Sequence, residues 1–141
     1  MMEAVRDLNA ISEKIIWYAF NVANGLGSGF LEKVYENALV HELRTTGVNV
    51  HQGYTVKVIY DGVVVGDYKA DLLVEECVLV ELKTVEVLDN VHLAQCMNYL
   101  RASGLQLCLL INFYRSKIEV RRVVNDYMGP YIKKALRSTH I

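Results

Sequence analysis

The chain has 141 residues, 52% of them hydrophobic and 22% charged, with a formal net charge of -1. That size and apolar content suit one domain with one core, and they exclude a disordered chain and a strongly basic, dedicated nucleic-acid binder. The longest uncharged apolar runs, such as Leu105 to Phe113, fall far short of the ~20 residues that span a bilayer, and no basic segment precedes an apolar one at the start, so a cytoplasmic protein with no membrane association is expected.

The small net charge hides an asymmetry. Residues 1–112 hold 8 Lys and Arg against 14 Asp and Glu, whereas residues 113–141 hold 7 against 2. Arg115, Lys117, Arg121, Arg122, Lys133, Lys134 and Arg137 form either a phosphate-facing edge or a solvated basic tail that balances an acidic body. Cys77, Cys96 and Cys108 have no zinc-type spacing, and their odd count suits reduced, partly buried thiols.

In chain order, Leu8, Ile11, Ile15, Ala19 and Val22 recur at three and four, which predicts an amphipathic helix over about residues 5–24. Trp17, Tyr18 and Phe20 are expected to pack that helix. The stretch Gly25-Leu-Gly-Ser-Gly29 breaks it. Ser28 is the expected N-cap of a second helix reaching about Thr46, with Gly47 as its stop. The glycine-rich loop lacks the Gly-Lys-Ser/Thr ending of a phosphate loop and follows a helix, so it is not read as a nucleotide site.

Beyond Gly47 the apolar period becomes two. Tyr54, Val56, Val58 and Tyr60 alternate toward the hairpin turn Asp61-Gly62, and Val63 to Val74 returns as the second strand, bulged at Gly66-Asp67. A Glu75-Glu76-Cys77 turn leads to a third strand over residues 78–85. A helix over about residues 90–103, capped by Asp89 or Asn90 and closed by Gly104, precedes the apolar run 105–111, an interior strand covered on both faces. Residues 117–124 make an edge strand, and Gly129-Pro130 opens a short C-terminal helix. The order ααβββαββα predicts a mixed α/β sheet flanked by helices.

Side chains two apart on a strand share a face, so Glu81 and Lys83 point the same way from an otherwise aliphatic strand. Charges placed there cost several kcal/mol unless they are paired, hydrated or bound to metal. Asp71 comes from the neighbouring strand, and the tight turn lets its carboxylate converge with that of Glu81. Two such hard ligands, with the Leu82 carbonyl, suit Mg²⁺ or Mn²⁺. Lys83 is expected as an ammonium that orients water and stabilises a phosphorane. On the following helix His92, Gln95 and Tyr99 share one stripe and Leu93, Met97 and Leu100 another. Gln95 is expected to hold the attacking water or a phosphate with Tyr99 bracing it, and His92 to be a polar residue of the helix start. Glu32 and Glu36 are i, i+4 on the second helix, with Glu32 the better placed to reach the metal or Lys83.

The run Gly29-Phe-Leu-Glu32-Lys-Val-Tyr35 resembles the signature of the GxxExxY protein family. Asp71…Glu81-Leu82-Lys83 followed by Gln95-x-x-x-Tyr99 resembles the PD-(D/E)XK nuclease superfamily to which that family is assigned. The resemblance spans about residues 8–124 of a single domain, 1–141. It implies a restriction-endonuclease-like αβββαβ core with an extra N-terminal helix, Asp71, Glu81 and Lys83 as the catalytic set, and Glu32 and Gln95 as accessory positions. Ala70 stands where a proline often precedes the first aspartate. The expected activity is Mg²⁺-dependent hydrolysis of phosphodiester bonds, in DNA before RNA. The competing readings are a catalytically silent nuclease fold used for binding or assembly, and a hydrolase of a small phosphorylated molecule. The small size favours a homodimer or a partner protein that shares the grip on substrate.

Overall fold

The computed structural model describes residues 7–126. Helices α1 (Leu8–Leu26) and α2 (Glu32–Thr45) come first, followed by strands β1 (Val50–Tyr60), β2 (Val63–Val74) and β3 (Val78–Lys83). Helix α3 (Asn90–Ser103) then crosses over to β4 (Leu107–Asn112), and β5 (Glu119–Val124) completes one sheet in the order β1-β2-β3-β4-β5. All neighbours are antiparallel except β3 and β4, which run parallel as an α-helical crossover requires. The mixed α/β class expected from the sequence is the one observed. The expected C-terminal helix at Gly129-Pro130, and the basic residues Lys133, Lys134 and Arg137, lie outside the described residues.

Each face of the sheet carries its own core. Val78, Val80, Leu82, Leu109 and Ile111 pack under Ile15, Ala19, Leu39 and Leu43 of the first two helices. Leu79, Cys108 and Leu110 pack under Cys96, Tyr99 and Leu100 of α3. All six residues of β4 are buried, which is why that run reads as continuously apolar. Cys96 and Cys108 are buried thiols, and the hydrogen bond with Cys96, and then burial, raise the Cys108 pKa well above its ordinary value.

Several boundaries follow from local chemistry. Asp89 caps α3, its side chain accepting from Val91 N–H while His92 Nδ1 accepts from Asp89 N–H, and Gly104 closes the helix in the left-handed conformation. Asp61 and Gly62 have φ of 52° and 74°, as a tight hairpin turn demands. The bulge lies beside the expected place: Val58 faces Gly66 and Ile59 faces Val64, so Val65 is the extra residue.

Other expectations are corrected. Helix α2 starts at Glu32 rather than after Ser28, with Leu31 as an N-cap that makes no side-chain bond. Gly27 and Gly29, at φ 74° and 105°, keep the intervening chain out of helix. Strand β3 ends at Lys83 instead of continuing to residue 85. Trp17 and Phe20 are 58% and 38% exposed, so they line the outer face of α1 and do not pack it.

Candidate active site

Strands β2 and β3 pair only through Leu72–Val80, Leu73–Leu79 and Val74–Val78. The next residues in register are Asp71 and Glu81, and there the side chains take over from the ladder. Glu81 Oε1 accepts from Asp71 N–H at 2.9 Å, and Asp71 Oδ2 accepts from Leu82 N–H at 2.8 Å. The pairing on the other side of β2 is also interrupted. It passes from Gln52–Leu72 to Tyr54–Ala70, leaving Gly53, at φ 74°, opposite Asp71. Beyond this point β2 leaves β3 and continues with β1 alone as a projecting hairpin. The two carboxylates therefore occupy the fork where the sheet divides.

Alternation places Glu81 and Lys83 on the face of Leu79, and Lys83 Nζ lies 3.7 Å from Glu81 Oε2. Glu81 is only 3% exposed. Burial, and then the nearby charge of Asp71, push its pKa from 4.5 up to about 8. Asp71 is raised for the same leading reason, opposed first by the bond from Leu82 N–H. Glu32, partly buried on α2, is also raised, first by burial and then by Asp71, with Lys83 acting in the other direction. Four groups singled out from the sequence thus share one electrostatic neighbourhood: Asp71, Glu81, Lys83 and Glu32.

Glu36 belongs to this neighbourhood as well, since its charge is felt at Asp71 and Glu32. It is buried, and its Oε2 accepts from Lys33 Nζ at 2.8 Å and from Gln52 Nε2 at 2.6 Å. Gln52 also donates to Asn37 Oδ1. The i, i+4 spacing pointed to Glu36, but Gln52 carries no sequence signal that separates it from other strand residues.

Tyr99 does not play the part expected of it beside Gln95. Gln95 is half-buried on α3 and has no hydrogen-bond partner among the described residues, so Tyr99 does not brace it. The Tyr99 hydroxyl instead lies 3.5 Å from the Lys69 carbonyl, and its ring meets Tyr68 edge-on at 5.5 Å. Burial raises the Tyr99 pKa first, with Glu81 and Asp71 adding to the shift. Arg122 is likewise not part of a free basic edge. Its guanidinium donates to Ser12 Oγ at 2.6 Å and Asn9 Oδ1 at 3.0 Å, tying β5 to α1, while Arg121 pairs with Glu119.

No group of three or more His, Cys, Asp and Glu side chains among the described residues is arranged to hold a metal. The donor set at the fork still has the chemistry of a hard-cation site. Each carboxylate commits one oxygen to a backbone amide, which leaves Asp71 Oδ1 and Glu81 Oε2 for a ligand, and Mg²⁺ commonly retains several waters beside one or two carboxylates.

The family model described as the PD-(D/E)XK nuclease superfamily matches residues 9–123. Among solved structures, the chain is similar to the protein described as SSO0001, at 15% identity and a TM-score of 0.54, over 77% of this chain and 57% of that one. It is also similar to an alkaline exonuclease (LHK-Exo) from Laribacter hongkongensis, at 14% identity and a TM-score of 0.52, over 98% of this chain and 77% of that one. At these identities the likeness is one of fold, and the chain spans little more than half the length of the first of the two. No curated protein matches it.

Proposed function

Because the chain belongs to the PD-(D/E)XK nuclease superfamily, we propose that it hydrolyses phosphodiester bonds in nucleic acid, with DNA as the preferred substrate and Mg²⁺ or Mn²⁺ as cofactor. The observation that carries the reading is the reciprocal exchange at the fork, where Asp71 and Glu81 each bind the other strand's backbone beside Lys83. Such an exchange fixes both carboxylates without a metal, so the site is preorganised.

Asp71, Glu81 and the Leu82 carbonyl are the proposed ligands. A divalent ion held there would polarise the phosphoryl group and lower the pKa of a bound water. Glu81 gives up the proton that burial favours when it becomes a ligand, so metal affinity rises with pH toward about 8. The Lys83 ammonium, close to Glu81 Oε2, is placed to orient water and stabilise the charge that develops on phosphorus. Glu32, whose carboxyl feels the charges of Asp71 and Lys83, is the proposed accessory group. Gln95, its amide uncommitted among the described residues, is retained as an accessory contact for substrate or water.

The GxxExxY membership is supported by the local geometry of the signature. Gly29 adopts φ 105°, the Glu32 carboxyl feels the charges of Asp71 and Lys83, and the Tyr35 hydroxyl donates to the Gly27 carbonyl at 2.6 Å while accepting from Phe30 N–H. The reading takes residues 1–141 as one nuclease-like domain, and the buried thiols Cys96 and Cys108 support a reducing, cytoplasmic setting.

The test is calorimetric titration of Mg²⁺ and Mn²⁺ into the wild type and the Asp71→Ala/Glu81→Ala variant, followed by assays of the same samples on single- and double-stranded DNA and RNA. Metal binding and cleavage confined to the wild type are expected. If neither protein binds metal, the catalytic reading fails and the silent assembly module takes its place.

A further inference from the structure

A cavity lies between the glycine loop and the segments that follow β3 and β4. It has a volume of about 380 Å³ and is lined by Ser28, Gly29, Phe30, Thr84, Phe113 and Tyr114. It starts one residue beyond Lys83 on one wall and ends two residues before Glu32 on the other, so it opens between the segments that bring those residues to the site. Its two aromatic rims are about half open to solvent: Phe30 is 49% exposed and Tyr114 45%.

Its walls are held rigidly. Asn112, 4% exposed, accepts from Val85 N–H at 3.0 Å and from Tyr114 N–H at 3.2 Å, and donates to the Val85 carbonyl at 2.7 Å. One buried amide thus joins the segment after β3 to the segment after β4. On the opposite wall the Tyr35 hydroxyl holds the glycine loop at Gly27 and Phe30, and the Tyr35 ring stacks on Phe113 at 4.8 Å. Phe30 leans edge-on against Tyr35 at 6.3 Å, which orients its ring. The Arg115 guanidinium sits over the Tyr114 ring, 5.6 Å from its centroid.

Rigid, half-exposed aromatic faces beside a guanidinium are the chemistry that takes an unpaired nucleobase by stacking and its phosphate by charge. A base inside a duplex is already stacked and paired and cannot enter such a slot. We propose that this cavity is a nucleobase subsite, in which Phe30 and Tyr114 stack the unpaired base next to the scissile phosphodiester and Arg115 takes the adjoining phosphate. The proposal rests on the nuclease reading for its position in the reaction, and it sets the preferred substrate as single-stranded DNA or a DNA end with unpaired nucleotides.

The experiment is fluorescence anisotropy with a labelled single-stranded oligodeoxynucleotide, the same oligomer carrying abasic sites, and a blunt duplex, in Ca²⁺ to hold off cleavage. The wild type is expected to bind the single strand about tenfold more tightly than the abasic oligomer. Phe30→Ala and Tyr114→Ala are expected to lose that preference with an unchanged melting temperature, and Tyr114→Phe to keep it. Equal binding of intact and abasic oligomers by the wild type, or an unaltered preference in both alanine variants, overturns the subsite. A parallel cleavage assay in Mg²⁺ separates the two readings. Base-dependent binding without cleavage leaves the subsite standing and removes the catalytic proposal, while cleavage without base dependence does the reverse.

Discussion

Glu81 is the residue on which the site's electrostatics turn. In the absence of divalent metal its carboxyl titrates near 8 in the folded chain and near 4.5 when unfolded, so between those values the native state holds the additional proton. Its contribution to stability is fully present below pH 4.5 and is lost as the pH rises through about 8. Asp71 and Glu32, both raised, act in the same direction. We predict that metal-free protein loses stability across this window and that Glu81→Gln flattens the loss, as followed by urea unfolding at stepped pH. A wild-type curve that rises with pH there would contradict the raised carboxyl. Asn112 carries a second prediction at this scale. Asn112→Ala strips partners from part-buried backbone groups at Val85 and Tyr114 and is expected to cost roughly 1–2 kcal/mol in denaturant unfolding. A loss below about 0.5 kcal/mol, typical of a surface change, would mean that the two segments hold without it.

At the scale of elements, the glycine loop between α1 and α2 is a structural device rather than a flexible link. A Cβ at Gly29 would meet nothing within 4 Å, yet φ of 105° is strained for any other residue. Gly29→Ala should therefore destabilise by about 1–3 kcal/mol through backbone strain alone, measurable by thermal unfolding, while an unchanged melting temperature would show that the loop adopts another path. The same loop explains why α2 starts at Glu32 and not directly after Ser28. Ser28 satisfies the composition rule for a cap, but Tyr35, a turn inside α2, holds the loop through its hydroxyl, and that contact depends on the helix already being in place. Where the bonding is truly local, as around α3, the expected bounds match the observed ones, with Gly104 as the stop and Asp89 rather than Asn90 as the cap.

For the whole molecule, the projecting half of the β1–β2 hairpin is the outstanding feature. Ile59, Tyr60, Val63, Val64 and Val65 are each more than half exposed, although their residue types favour burial. Contiguous apolar surface of this kind marks interaction sites, and it supports the proposal that the chain works as a homodimer or with a protein partner. Light scattering of the wild type is expected to give a mass above that of one 16.0 kDa chain, reverting to the monomer in Val64→Lys. A monomer at all concentrations would leave a heterologous partner as the remaining form of the proposal.

Much of the fold was legible because its signals act over a few residues: apolar period, turn dipeptides, caps, and the unbroken hydrophobicity of β4. Asp71, Glu81 and Lys83 were legible because charges in an aliphatic strand are costly and therefore conspicuous. The tertiary structure decided the rest. It buried Glu36 against Gln52, withdrew Arg122 from the basic edge by docking it on α1, and left Gln95 without a hydrogen-bond partner among the described residues. Above all it ended the β2–β3 ladder at Leu72 and Val80, so that two carboxylates replace backbone pairing at the fork. Residue types and spacing specify which groups can meet. Where a sheet divides depends on how the projecting hairpin and the helices on both faces pack together, and no local run of sequence encodes that balance.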